Sequence, residues 1–230
     1  MMTNVANFKH PEFLVSVDWL LENLEDPNLR IYDCTAHLIP HPTETYTIGS
    51  GKGDYEKAHI PGADFLDLQQ ELSNNTSKLR FTFPSAEHFS KAIGAHGLSN
   101  DNQAILYSTT SPQWATRIWW MLRAFGFDNA KVLDGGLIRW VQKGYPTSTI
   151  PSTYPEQSFT AKPRPGLIIQ KSEVLEGIHE SNTCILNALS QEQHIGVGGR
   201  TYGRPGRIKD SENVPTTELI DPETNEFYPA

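Results

Sequence analysis

Three short apolar runs, residues 29–32, 104–107 and 131–133, alternate along this chain with segments of helical period at residues 18–24, 86–96, 114–125 and 137–142. That alternation admits few folds. Strands separated by helices cannot pair as hairpins, so they build a mainly parallel sheet with helices on both faces, an α/β domain. Trp114, Ile118, Leu122 and Phe125 share one helix face, and Gly126 supplies a stop. Ser16 or Asp18 can cap the first helix, and Ser85 the second, which turns Phe89 and Ile93 inward.

A weak internal similarity adds a second constraint. At an offset of 154, residues 15–22 fall on residues 169–176, and Ile31-Tyr32-Asp33 falls on Ile185-Leu186-Asn187. At 148, residues 59–64 fall on residues 207–212. A strand-like entry, a helix and a strand recur. Between the copies, residues 144–156 hold three prolines among many hydroxyl residues and cannot sustain a helix or a central strand. The expected organisation is a first domain over residues 13–146, a Pro-rich linker over 147–166, and an incomplete second copy over 167–230. The second copy has too few elements to enclose a core of its own. It must pack on the first or remain loose.

Composition removes several function classes. With 37% hydrophobic and 10% aromatic residues the chain can bury a core. A formal charge of -8, with its basic residues scattered, argues against nucleic-acid and acidic-membrane partners. Neither a leader-like N-terminus nor an apolar run of membrane-spanning length is evident, so a cytoplasmic location is expected. Cys34 and Cys184 are the only cysteines, which excludes a disulfide framework and any CxxC motif. Cys34, His37 and His41 have metal-compatible types and spacing but lack a fourth convergent ligand.

Several segments carry a family resemblance. Tyr55-Glu56-Lys57-Ala58-His59-Ile60-Pro61-Gly62-Ala63 resembles the first signature of the rhodanese family, the thiosulfate and 3-mercaptopyruvate sulfurtransferases. Residues 132–140, with Asp134-Gly135-Gly136 and Trp140, followed by Gly144-Tyr145-Pro146, resemble the second. Ile105-Leu106-Tyr107-Ser108, leading into the segment from Arg117 to Gly126, resembles the strand and helix that flank the loop of the N-terminal domain. Residues 202–208 with Asn213-Val214-Pro215 resemble the first signature of the second domain in two-domain members. The residues also have plain physical readings: His59 as a structural residue of a turn that feeds a strand, Asp134-Gly135-Gly136 as a tight strand-to-helix turn, and Trp140 as core.

The resemblance implies a three-layer rhodanese-like fold and sulfur transfer through a cysteine persulfide, with no metal or organic cofactor. In the family the reactive cysteine sits in a loop opening into a helix N-terminus, where backbone N–H groups stabilise its thiolate. Here Ser108 stands at that position in the first copy, and no base in the following Thr109-Thr110-Ser111-Pro112-Gln113 would activate it. The corresponding position of the second copy falls past Ala230. Cys34 and Cys184 read as inert, buried thiols, the first also because a neighbouring Asp33 raises its pKa. Arg200 and Arg204 are the candidates for orienting an anionic donor, although Asn187-Ala188-Leu189 departs from the Asp and Arg of active second domains. The implied partners are a small anionic sulfur donor and a thiophilic acceptor; oligomeric state is open. The competing reading is a non-catalytic rhodanese-like binding or regulatory module. A related phosphatase or arsenate reductase would need a Cys six residues before an Arg, and no such pair occurs.

Overall fold

The structure, a computed structural model, describes residues 8–41, 46–199 and 203–229. Its elements run β1 (Leu14–Val15), α1 (Val17–Glu22), β2 (Leu29–Asp33), β3 (Ala36–Ile39), β4 (Thr47–Ser50), α2 (Lys52–Lys57), β5 (Asp64–Phe65), α3 (Ala86–Ala95), β6 (Gln103–Tyr107), α4 (Gln113–Ala124), β7 (Ala130–Leu133), α5 (Gly136–Gln142), α6 (Lys171–Gly177), β8 (Leu186–Asn187), α7 (Gln191–Ile195) and β9 (Glu212–Asn213). The main sheet has the order β1-β7-β6-β2-β5 with every pairing parallel. The run expected to be a central strand is β6, flanked on both sides, with four of its five residues buried.

Two apolar layers sandwich the sheet because successive strand residues face opposite ways. Ala104 and Leu106 of β6 join Phe89 and Ile93 of α3 and Trp114, Ile118 and Leu122 of α4 in one layer. Ile105 and Tyr107 join Val17 and Leu20 of α1 and Leu137 and Trp140 of α5 in the other. The helix starts follow the capping residues. The Ser16 hydroxyl accepts from Trp19 N, and that of Ser85 accepts from His88 N. The β3–β4 hairpin and α2 had no counterpart in the sequence reading. The hairpin is antiparallel, stands apart from the main sheet and exposes Leu38 and Ile39, so it lacks the buried apolar run that marks the other strands.

Residues 147–166 form no helix or strand beyond an isolated bridge between Ser148 and His59, as their prolines require. They are nonetheless held against the first unit. The Tyr154 hydroxyl accepts from Ile31 N and donates to Gly62 O, Gln157 N donates to Gly94 O, Lys162 N donates to Phe125 O, and Phe159 enters the core.

Beyond residue 166 the architecture thins. β8 and β9 form a two-stranded parallel sheet in which Leu186 faces Glu212 and Asn187 faces Asn213. In the first unit Tyr32 faces Asp64 and Asp33 faces Phe65. These are the pairs that the two sequence offsets superimpose. Val214 N donates to Asn187 O at 3.0 Å, matching Leu66 N to Asp33 O at 2.9 Å.

Candidate functional site

The strand ends at the C-terminal edge of a parallel sheet are where α/β folds place ligands, and here that edge carries Ser108, Asp33 and Asp134. Ser108 follows β6 and is buried. Its hydroxyl donates to Ser111 O at 2.5 Å, and its carbonyl accepts from Leu137 N at 3.3 Å. The turn into α5 presses against it: Gly136 has φ +53°, and a Cβ there would lie 2.5 Å from Ser108 O. Only glycine fits such a contact. This is the reason the Asp134-Gly135-Gly136 turn sits beside the β6 loop.

The loop is closed on itself. Thr109 N donates to Thr35 Oγ1 at 2.8 Å, and Thr35 Oγ1 donates to Asp33 Oδ1 at 2.5 Å. Thr109 Oγ1 also reaches Asp33 Oδ2 at 3.4 Å. A carboxylate with 0% exposure therefore backs the loop where a thiolate or anion would sit. Burial raises the Asp33 pKa above the ordinary carboxylate value, while hydrogen bonds from Thr35, Tyr107 and Thr109 oppose the rise. The network offers a hydroxyl with no adjacent base and spends a backbone donor on Thr35, so it supports neither nucleophilic attack nor an anion nest.

The two cysteines lie in opposite settings. Cys34 is fully buried, its thiol donates to Tyr32 O, and burial followed by the Asp33 charge pushes its pKa well up. Cys184 is exposed and free, not buried as the sequence suggested, because it lies just ahead of the uncovered β8 ribbon. Among the described residues no group of three or more His, Cys, Asp or Glu could hold a metal. His37 pairs with Asp54 at 2.8 Å instead of joining Cys34.

Of the donor-binding candidates, Arg204 is exposed in the segment preceding β9, and Arg200 lies outside the described residues, as does Tyr202 of the segment resembling a signature. Asn187-Ala188-Leu189 runs from the last residue of β8 into the loop after it, with the Asn187 Oδ1 accepting from Leu189 N and the Asn213 amide donating to Asn187 O and Leu189 O. His59 is structural: fully buried, stacked on Tyr55 and bonded through its two ring nitrogens to Tyr55 O and Ile150 O. Trp140 is core, its indole donating to Pro146 O.

The sequence reading missed the depth of the Asp33, Thr35 and Thr109 network. Its only local sign is a run of polar residues directly after two apolar strands. A second cluster was also missed. His96 contacts Asp64 Oδ2 at 2.7 Å and Glu71 Oε2 at 3.1 Å, between cavities of about 420 and 330 Å³. Burial works against its charged form, but the two carboxylates outweigh it and raise the pKa to about 9. The charges satisfy one another, which makes the cluster a clamp between α3 and β5. No helix among the described residues is long and apolar enough to cross a membrane.

Residues 16–143 match the family model of the rhodanese-like domain. The chain is 32% identical to thiosulfate/3-mercaptopyruvate sulfurtransferase 2 of Arabidopsis thaliana over 95% of its own length and 68% of that protein. It is also 32% identical to the 3-mercaptopyruvate sulfurtransferase of Escherichia coli K12, over 90% of this chain and 73% of the relative. The crystal structure of SseA from Escherichia coli, a 3-mercaptopyruvate sulfotransferase by its description, superimposes with a TM-score of 0.77 at 31% identity, covering 94% of this chain and 79% of that one. The family model, the relatives and the superposition agree, and the chain belongs to the rhodanese family.

Proposed function

We propose that this protein is a rhodanese-type sulfurtransferase that moves sulfane sulfur from thiosulfate or 3-mercaptopyruvate to a thiophilic acceptor through a cysteine persulfide, with the nucleophile outside residues 1–230. The observation that carries the reading is the sealed loop at the end of β6. Ser108 stands where the thiol would be, and Thr109 beside it is tied to the buried Asp33 directly and through Thr35, which supports reading the first unit as a scaffold. The matched register of β2–β5 and β8–β9 supports a tandem arrangement, in which a second unit would supply the reactive loop. Arg204 and Arg200 remain the residues assigned to the anionic donor, since a guanidinium fork matches a carboxylate or thiosulfonate. Cytoplasmic location is part of the same reading.

The test pairs a cyanide-dependent thiocyanate assay with intact-mass detection of the persulfide, a gain of about 32 Da on one thiol. The chain of 230 residues is expected to show neither signal with either donor, and Ser108→Cys is expected to recover little, because Asp33 opposes a thiolate there. Extension by a C-terminal rhodanese segment carrying its own loop cysteine is expected to give both. An adduct with turnover on Cys34 or Cys184 would overturn the assignment of the nucleophile. An extended chain that stays inert would favour the non-catalytic binding module.

A further inference from the structure

One contact ties the C-terminal segment to the sheet edge through a titratable group. Residues 219–228 fold back as a small hairpin: Ile220 bridges Phe227, Tyr228 N donates to Leu219 O, and Asp221 N donates to Glu226 O. The Asp221 carboxylate stabilises the turn by accepting from Glu223 N and Thr224 N. The hairpin is seated on the β7–α5 turn. Phe227 N donates to Asp134 Oδ1 at 2.8 Å, and the Asn225 amide donates to Gly135 O at 3.4 Å. Glu226 lies 3.3 Å from Arg139 Nε, and the Gln142 amide donates to Glu223 O at 2.6 Å. The Phe227 ring packs on the main core.

The geometry points to a latch: the hairpin of residues 219–228 seats on the β7–α5 turn more tightly when Asp134 carries a proton than when it is ionised. Asp134 is only 3% exposed beneath the hairpin. Burial, aided by the Glu226 charge, raises its pKa to about 6, while the Phe227 and Gly135 N–H groups and Arg139 oppose the rise. Of the charged groups, Glu226 faces it from the hairpin and Arg139 from α5. From β1 it meets a backbone carbonyl, Val15 O, through its own N–H. Lifting the hairpin returns water to the carboxylate, removes the Glu226 charge and lets water replace the Phe227 N–H. The pKa of the unlatched state therefore lies nearer the ordinary carboxylate value.

The sign follows from linkage. A carboxyl whose pKa is higher in the seated state favours seating in full at low pH, and the advantage is lost as pH rises through about 6. Between pH 5 and pH 8 the seating equilibrium should weaken by about tenfold if the free carboxyl titrates at its ordinary value. Protonation would thus draw the second segment onto the first unit, and ionisation would release it.

Hydrogen exchange read by NMR on the whole chain tests the latch, with the intrinsic pH dependence of exchange divided out and the amides of β6 as internal reference. Phe227, Tyr228 and Asn225 are expected to lose about tenfold in protection from pH 5 to pH 8 relative to β6. The Phe227 amide proton is expected to titrate with a midpoint near 6. Asp134→Asn, which mimics the neutral acid, is expected to keep the hairpin protected at both pH values. Glu226→Gln is expected to move the midpoint to lower pH. Protection that is flat with pH in the unsubstituted chain overturns the proposal, as does the same pH dependence in Asp134→Asn. Should Asp134→Asn fail to fold, an unmoved midpoint in Glu226→Gln overturns it.

Discussion

The pairs β2–β5 and β8–β9 share a register and a matching hydrogen bond into the following residue, yet their surroundings differ. Tyr32 in β2 is 1% exposed, and Leu186, its counterpart in β8, is 62% exposed. On its far side β2 has β6, paired at five positions, and helices cover both faces of that sheet. Among the described residues β8 pairs with β9 alone, and α6, which precedes it in the chain, has no buried residue. A parallel pair is stable when neighbouring strands and both helical layers enclose it, because its own few hydrogen bonds contribute little net free energy. The same local pattern therefore makes a core in one place and an exposed ribbon in the other.

The contrast should be largest in hydrogen exchange. Amides of β6 and β2 are expected to exchange only through global unfolding and those of α6 and β8 through local opening, a difference of several orders of magnitude in protection. Equal protection across residues 13–146 and 167–230 would show that the second segment is a complete domain.

Core truncation should separate the regions next. Phe89→Ala removes a fully buried ring stacked on Phe125 and should cost about 3–5 kcal/mol in urea unfolding. Leu186→Ala should stay within about 0.5 kcal/mol, as surface changes do. A comparable loss at Leu186 would mean that β8 is covered in solution.

Smallest is the effect of the caps. Ser85→Ala should cost about 1 kcal/mol, since its hydroxyl holds the first turn of a helix inside the cooperative unit. Ser190→Ala removes a capping box from α7, a five-residue helix outside that unit, and should leave the main unfolding midpoint unchanged. A shift of the midpoint by Ser190→Ala would show that α7 unfolds together with the main sheet.

Much of the first unit was legible because apolar periodicity and burial coincide there. Ala104, Ile105, Leu106 and Tyr107 are all buried, and the Trp114, Ile118, Leu122 and Phe125 face is the face that packs. The β3–β4 hairpin was not legible, since Leu38 and Ile39 point to solvent and give no period to read. At the site, Ser108 could be aligned by motif, whereas the sealing of its loop needed residues 74 to 76 positions apart to meet: Thr109 against Thr35 at a separation of 74, and Thr109 against Asp33 at 76.

By itself the sequence determined the alternation of strand and helix, the parallel sheet that follows from it, a first helix start at Ser16 or Asp18 and a second at Ser85, and the absence of a thiol at position 108. These are local properties of side-chain period, capping chemistry and residue identity. Only the tertiary structure decided that Asp33 backs the β6 loop, that Tyr154 and Phe159 bind residues 147–166 to the first unit, and that Phe227 lies on Asp134. Each is a contact between residues distant in the chain, and its cost or benefit is set by the water excluded when they meet, a quantity no short window of sequence contains.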